Sequence, residues 1–181
     1  MFFANRIDRR QRRAHFARCF FLHDMKRVDY YMARDWYETG DSFVRSGLFD
    51  YEWHPKLRLL AYAAAVDAMK GRELEGIAEP AAGIEAYVLR AAANDITPAY
   101  SIVMWNHTRE LENLPASTKV ASRPVEGIVD PMRAMTWRLD SIPLNGHITV
   151  GEEPVIVFAN RKPDWKLFTP REYLERLRLQ E

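Results

Sequence analysis

The sequence predicts a mainly α-helical fold, an irregular helical domain with one small β-hairpin near the C-terminus. Three observations predict it. Apolar residues recur every three or four positions near the N-terminus, which is the period of an amphipathic helix. A capping residue followed by proline, a typical helix start, occurs at Thr97-Pro98 and at Asp130-Pro131. Thr169-Pro170-Arg171-Glu172 has the spacing of a capping box.

Residues 1–39 are predicted to form a basic N-terminal helix, which runs from about Ile7 to about Tyr37. Its apolar positions fall on one stripe with arginines on the other side: Ala14, Ala17, Phe21, Met25, Val28 and Met32. Gly40 is expected to end the helix, because glycine adopts the left-handed conformation of a helix C-cap at little cost.

Residues 40–181 are predicted to form a helical domain that opens with an aromatic-rich loop, from Phe43 to Trp53. A helix is expected from about Pro55 to Met69. This helix is apolar nearly all round, which indicates burial against several neighbours. Further helices are predicted over about 82–94 and from Pro98 through Leu111.

The C-terminal third contains the predicted hairpin. Residues 113–129 are interpreted as an irregular connector, and a short helix from Asp130 through Leu139 follows it. The hairpin is predicted over 147–158, from two short strands that flank Gly151-Glu152-Glu153. The capping box then begins a C-terminal helix, Pro170–Gln180.

Composition excludes several classes of protein. With 181 residues, 48% of them hydrophobic, the chain is able to bury one ordinary core, so it is neither a small disulfide scaffold nor a disordered tail. Leu59–Val66, the longest apolar run, is far shorter than the roughly 20 residues that span a bilayer, so no transmembrane segment is expected. Cys19 is the single cysteine, which excludes an internal disulfide and favours a reducing compartment.

Positive charge is concentrated at the N-terminus. Residues 1–27 hold eight Lys or Arg against two Asp, a net charge of +6 in a chain whose total is +1. Such a segment is explained by a solvated helix face, by contact with an anionic partner or lipid headgroups, or by mitochondrial targeting. The arginines expected to contact headgroups or an acidic partner are Arg9, Arg10, Arg12 and Arg13.

No motif identifies a catalytic, cofactor-binding or metal site. His15, Cys19 and His23 follow one another at four-residue spacing, but along a helix His15 and His23 would be roughly 12 Å apart. One ion could therefore take only an adjacent pair, and structural packing is the favoured interpretation. The sequence contains no glycine-rich phosphate loop and no recognised hydrolase motif. We therefore expect no catalytic residue, no cofactor and no metal.

Aromatic residues are candidates for a partner interface, because Trp, Tyr and Arg are enriched at such surfaces. Core packing and stacking on nucleic-acid bases are the other two interpretations. The residues chosen as partner anchors are Trp36, Tyr37, Phe43, Trp165 and Tyr173.

Two of these regions carry a family resemblance. Trp36-Tyr37, Phe43 and Gly47-Leu48 followed by Asp50, with Pro163, Trp165 and Tyr173-Leu174 near the other end, resemble the small matrix-side subunit of ubiquinol:cytochrome c reductase. That subunit is also called subunit VII or the ubiquinone-binding protein. Residues 56–129 would be largely an insertion in it. The resemblance implies a helical, non-catalytic subunit that packs against cytochrome b and the core subunits.

The function expected from the sequence is thus that of a non-catalytic accessory subunit of a large assembly, namely respiratory complex III of the electron-transport chain. It would be peripheral on the matrix side of the mitochondrial inner membrane, with other subunits and anionic lipid headgroups as partners. Two alternatives remain: an RNA-contacting subunit of a mitochondrial ribosome, in which the same arginines bind phosphates, and a small bacterial cytoplasmic binding protein of the immunity type.

Overall fold

The structure is a computed structural model that describes residue 34 and residues 48–106 and 120–178. Strands dominate these residues, with eight strands against two helices. In chain order the described elements are α1 (Leu57–Met69), β1 (Arg72–Ala78), β2 (Ile84–Ala91), β3 (Tyr100–Asn106), β4 (Arg123–Val125), β5 (Pro131–Thr136), β6 (Ser141–Ile142), β7 (Ile148–Val150), β8 (Val155–Ala159) and α2 (Pro170–Arg178).

Six of the strands form one antiparallel sheet in the order β1-β2-β3-β8-β5-β6. Strands β1, β2 and β3 follow one another as a meander. Strands β4 to β7 come next along the chain, and β8 then lies between β3 and β5. Val157 of β8 pairs with Ile102 of β3 on one side and with Ala134 of β5 on the other. All five residues of β8 are buried, as expected for a central strand.

Side-chain alternation divides the sheet into two buried faces. In β3, Ile102 and Met104 point to one face, whereas Ser101, Val103 and Trp105 point to the other. The first face packs against the two-stranded ribbon of β4 and β7 and against Trp165 and Leu167. The second face packs against the two helices. The sheet is therefore the middle layer of a three-layer arrangement.

Each helix covers a different part of the second face. Ala64 and Ala68 of α1 pack on Met135, Ile156 and Phe158. Alanine at both positions lets the helix backbone come close to the sheet. Helix α2 lies over the other end of this face, where Tyr173 packs with Ile77, Tyr87 and Trp105.

The prediction of a mainly α, all-helical fold is wrong. The segment predicted as a helix over 82–94 contains strand β2 instead, and the one predicted over 98–111 contains strand β3 as far as Asn106. The segment predicted as a helix over 130–139 contains strand β5. All six residues from Ile84 to Leu89 are buried, so this segment lacks the alternation that identifies a strand with one exposed face. Proline at the start of a strand is tolerated, so Asp130-Pro131 introduces β5 rather than a helix.

The predicted hairpin over 147–158 is also wrong in its pairing. Both of its strands exist, as β7 and β8, but they do not pair with each other. Strand β7 pairs with β4, inside the predicted connector 113–129, and β8 joins the large sheet.

Two predicted helices are confirmed, and one prediction cannot be compared. α1 matches the helix expected from about Pro55 to Met69, and α2 matches the C-terminal helix. Thr169 N donates to Glu172 Oε2 at 2.7 Å and Glu172 N donates to Thr169 Oγ1 at 3.3 Å, so the capping box is present. The predicted N-terminal helix lies, apart from Arg34, outside the described residues, and so do residues 107–119.

Candidate partner-contact surface

Helix α1 is apolar on the side away from the sheet as well as on the side that meets it. Val66 lies two residues from both Ala64 and Ala68, which is about 200° around the helix, so it points away from the sheet. Its side chain is 44% exposed, and that of Tyr62, which is also two residues from Ala64, is 46% exposed. We call this side, Tyr62, Ala63, Ala65 and Val66, the outer face of α1.

The loop before α1 also exposes two large aromatic side chains. Trp53 is 58% exposed, and its ring centroid lies 5.9 Å from that of Phe49. Tyr51 is also exposed. Trp53 has a positive φ of 69°, which a non-glycine residue adopts only where neighbouring bonds hold it.

Asp50 supplies those bonds. Its Oδ1 accepts hydrogen bonds from Glu52 N at 2.9 Å and from His54 N at 2.8 Å, and its Oδ2 lies 3.0 Å from His54 Nδ1. Desolvation raises the pKa of Asp50, but the hydrogen bonds from His54 and Glu52 outweigh it and the net shift is downward. The ionised carboxylate therefore holds the loop that presents Trp53.

Arg34 contacts this loop from a distant part of the chain. Its guanidinium carbon lies 4.8 Å from the ring centroid of Trp53 and 5.5 Å from that of Tyr51. Its backbone forms a parallel bridge with Phe49. The contacts are cation–π interactions, which are favourable by about 0.5–1 kcal/mol at exposed sites. They place the chain at residue 34 beside the aromatic loop.

The inner side of α1 is tied to the sheet by two arginines that lie over one ring. The guanidinium carbon of Arg133 is 3.9 Å from the Phe158 ring centroid, and that of Arg72 is 5.4 Å away. Arg133 Nη2 lies 2.6 Å from Asp67 Oδ2 on α1. Ser101 Oγ donates to Ala68 O at 2.5 Å. These contacts fix which side of α1 meets the sheet.

Arg72 also caps the end of α1. Its Nη1 donates to Asp67 O and Lys70 O, each at 3.3 Å, and its Nη2 donates to Pro98 O at 2.6 Å. Within the described ranges its buried Nε has no hydrogen-bond partner. Burial lowers the pKa of Arg72, the nearby charge of Asp67 raises it and that of Arg133 lowers it, with a net downward shift. An arginine that binds three carbonyls in this way has a structural role.

A second buried polar pair lies beneath α2. Tyr87 donates a hydrogen bond from its hydroxyl to Glu85 Oε1, and both side chains are buried. The Tyr87 ring stacks on Trp105 with centroids 5.4 Å apart. The sequence does not single out Glu85, because a glutamate inside an apolar run carries no motif that marks it as buried.

The predicted partner anchors fall into two groups. Trp36, Tyr37 and Phe43 lie outside the described residues, and so do Arg9, Arg10, Arg12 and Arg13. Trp165 is half-buried, packs against the core and donates from Nε1 to Glu126 O at 2.7 Å. Tyr173 is 3% exposed. Trp165 and Tyr173 therefore pack within the described fold, and the role of the five anchors in partner contact stays a prediction.

Neither a metal site nor a membrane span is found in the described part of the chain. Among residues 48–106 and 120–178, no group of three or more His, Cys, Asp or Glu side chains is arranged to hold a metal ion. The helices within these ranges are too short or too polar to cross a membrane. His15, Cys19 and His23 lie outside them.

Comparisons with protein-family models, with curated proteins and with solved structures found no match to this chain.

Proposed function

We propose that this protein is a non-catalytic structural module of a larger assembly, in which helix α1 is an internal layer. The observation that carries the proposal is the two-sided apolar character of α1. Its inner side is covered by the sheet at Ala64 and Ala68, while Tyr62 and Val66 on its outer side are 46% and 44% exposed. A surface helix normally carries polar residues on its outer side, so an apolar outer side indicates a second protein layer.

The polar groups of the described residues support a structural role. Arg72, Arg133 and Asp67 join α1 to the sheet, and Trp165 joins the segment before α2 to the loop after β4. Asn106 Nδ2 donates to Ala121 O at 2.8 Å and so ties β3 to residues 120–122 just before β4. Each of these groups stabilises the packing of one element on another.

The assignment to respiratory complex III and to the mitochondrial inner membrane remains a prediction from sequence. The resemblance that suggested it implied a helical subunit, and the six-stranded sheet removes the support that a helical fold would have given. The assignment of the arginines between Arg9 and Arg13 to an acidic partner or to headgroups is likewise a prediction, and RNA contact is its alternative.

Co-purification from native cells tests the proposed function. Tagged wild-type chain and the Val66→Glu and Leu144→Glu variants would be isolated in mild detergent and the bound proteins identified by mass spectrometry. Leu144 is a matched control, because it is 37% exposed and belongs to the loop after β6 rather than to α1. We expect stoichiometric partners with wild type and Leu144→Glu and at least about tenfold less with Val66→Glu. Equal recovery with all three, or no partner with wild type, would contradict the proposal.

A further inference from the structure

We propose that the protein that packs on the outer face of α1 carries a carboxylate that pairs with Lys70, at the C-terminal end of this face. The proposal rests on the proposed function, because it names the chemistry of the partner that this function requires. The partner is a separate protein whose contact surface is apolar at its centre and acidic at one end.

The outer face of α1 leads directly to a positive charge. Tyr62, Val66 and Lys70 follow one another at four-residue spacing, so their side chains lie along one stripe of the helix. Lys70 is the C-cap residue of α1, and its backbone N–H donates to Val66 O at 2.8 Å, so it continues the helical path by one residue. Its side chain is exposed. The apolar stripe therefore ends in an ammonium group.

The described part of the chain does not neutralise this ammonium group. Across residues 48–106 and 120–178, no carboxylate forms an ion pair with Lys70. Asp67 is the one acidic residue of α1, and its Oδ2 lies 2.6 Å from Arg133 Nη2. The charge of Asp67 also acts on Arg72. Lys70, Arg72 and Arg133 thus share the single carboxylate that α1 supplies.

Lys70 differs from the two arginines in its contacts. The guanidinium of Arg72 donates to three backbone carbonyls, and that of Arg133 pairs with Asp67 and lies 3.9 Å from the Phe158 ring centroid. These contacts hold α1 on the sheet. Among the cations at this end of α1, Lys70 is the one that a partner can bind without breaking a contact between described residues.

The stripe has the composition of a protein interface, which combines an apolar centre with a polar rim. Tyr62 and Val66, 46% and 44% exposed, supply the centre, and Lys70 supplies the rim. A partner that covered the stripe with apolar groups alone would take the ammonium group out of water without a compensating bond, which costs free energy. A carboxylate opposite Lys70 removes this cost, and the opposite charges also guide association.

Zero-length cross-linking of the native assembly tests the proposal. The tagged full chain would be isolated from native cells in mild detergent and treated with a water-soluble carbodiimide, which joins an amine to a carboxylate only where the two are in contact. Lys162 and Glu75 are the internal positive control, because Lys162 Nζ lies 3.2 Å from Glu75 Oε1. We expect mass spectrometry to find Lys70 joined to an Asp or Glu of another protein. The cross-linking uses the wild-type chain, so it does not depend on the folding of a variant.

A charge reversal measures how much Lys70 contributes to binding. At about 0.1 M salt, where the screening length is about 10 Å, Lys70→Glu should lower partner recovery about tenfold. At about 1 M salt, where the screening length is about 3 Å, wild type and Lys70→Glu should recover similar amounts. Lys166→Glu is the matched control, because Lys166 is also exposed and belongs to the segment before α2. Its recovery should equal that of wild type at both salt concentrations.

Three results would overturn the proposal. The first is a Lys162–Glu75 link without any link from Lys70 to another protein. The second is a link from Lys70 to an acidic residue of this same chain, which would assign the end of the stripe to a second copy or to an internal contact. The third is equal recovery for Lys70→Glu and Lys166→Glu at low salt. Flotation of wild type, but not of Lys70→Glu, with anionic phospholipid vesicles in the first case would assign Lys70 to a membrane surface.

Val66→Glu separates this inference from the proposed function. If Val66→Glu loses the partner while Lys70 stays unlinked and Lys70→Glu recovers as much partner as wild type, the inference fails and the proposed function stands. If Val66→Glu recovers as much partner as wild type, the outer face of α1 is not the contact surface and both fail.

Discussion

The guanidinium carbon of Arg133 lies 3.9 Å from the ring centroid of Phe158, while its Nη2 lies 2.6 Å from Asp67 Oδ2. One side chain of β5 thus contacts both the central strand β8 and helix α1. The contact determines which side of α1 meets the sheet and, as a consequence, which side is left for another layer.

Arg133 and Phe158 should be energetically coupled. In a double-mutant cycle of Arg133→Met and Phe158→Leu, measured by urea unfolding, we expect a coupling of about 0.5–1.5 kcal/mol, since a cation over an aromatic face contributes about that much. Arg171→Met with Phe158→Leu is the control cycle, because Arg171 pairs with Glu175 on the exposed side of α2. A coupling for Arg133 as small as that of the control would show that the stacking does not stabilise the fold.

Arg72 should matter more to stability than Arg133. Arg72→Met removes hydrogen bonds to three backbone carbonyls, one of them at 2.6 Å, and should cost about 2–3 kcal/mol. Arg133→Met removes a half-exposed ion pair and a stacking contact, and should cost about 1 kcal/mol. The free energies of unfolding in urea measure both. A larger loss of unfolding free energy for Arg133→Met than for Arg72→Met would mean that the hydrogen bonds of Arg72 at the end of α1 stabilise the fold less than the half-exposed contacts of Arg133.

Gly127 should resist substitution for two separable reasons. Its φ is +79°, and a Cβ there would lie 2.6 Å from Trp165 Nε1. Gly146 has a similar φ of +81° with nothing within 4 Å of an added Cβ, so Gly146→Ala reports the backbone cost alone, about 1 kcal/mol. Gly127→Ala should cost about 1–2 kcal/mol more, because Trp165 must shift from its bond to Glu126. Equal melting temperatures for the two variants would show that Trp165 moves freely.

The capping box should make stability depend on pH. Hydrogen bonds from the Thr169 backbone and hydroxyl lower the pKa of Glu172 in the folded state. A carboxyl whose folded pKa is depressed contributes stability above its ordinary pKa, and this contribution is lost as pH falls through the folded value. The difference in unfolding free energy between wild type and Glu172→Ala should therefore be constant from about pH 7 to about pH 5 and shrink below that. A difference that stays the same far below the ordinary pKa of a glutamate would contradict the role of the charge.

Local signals in the sequence were sufficient for the two confirmed helices. The capping box at Thr169 and the proline-led apolar run of α1 act over a few residues, so they can be recognised without tertiary information. The apolar residues all round α1 also indicated burial against several neighbours, and the structure accounts for one of them, the sheet. The sequence alone does not show that the Val66 side chain is exposed, because its exposure depends on Ala64 and Ala68 packing on the sheet.

The strands could not be predicted in the same way. The side chains of Ile84–Leu89 are buried on both faces of the sheet, so apolar and polar residues do not alternate along this strand. Thr97-Pro98, which precedes β3, is a residue pair that also begins helices. The partner of β8 is β3 on one side and β5 on the other, and pairing between such distant segments leaves no local signal. Glu85 and Arg72 were missed because their surroundings are set by tertiary packing: Arg72 bonds Pro98 O and lies over the Phe158 ring, and the side chain of Glu85 is buried.

The measurement that tests the central claim most directly is the mass of the particle that contains this chain in gently lysed native cells, determined for wild type and for Val66→Glu. We expect a particle much heavier than the 21.2 kDa of one chain for wild type, and a shift toward the single chain for the variant. A wild-type particle of 21.2 kDa would contradict the claim that this protein is a structural module of a larger assembly.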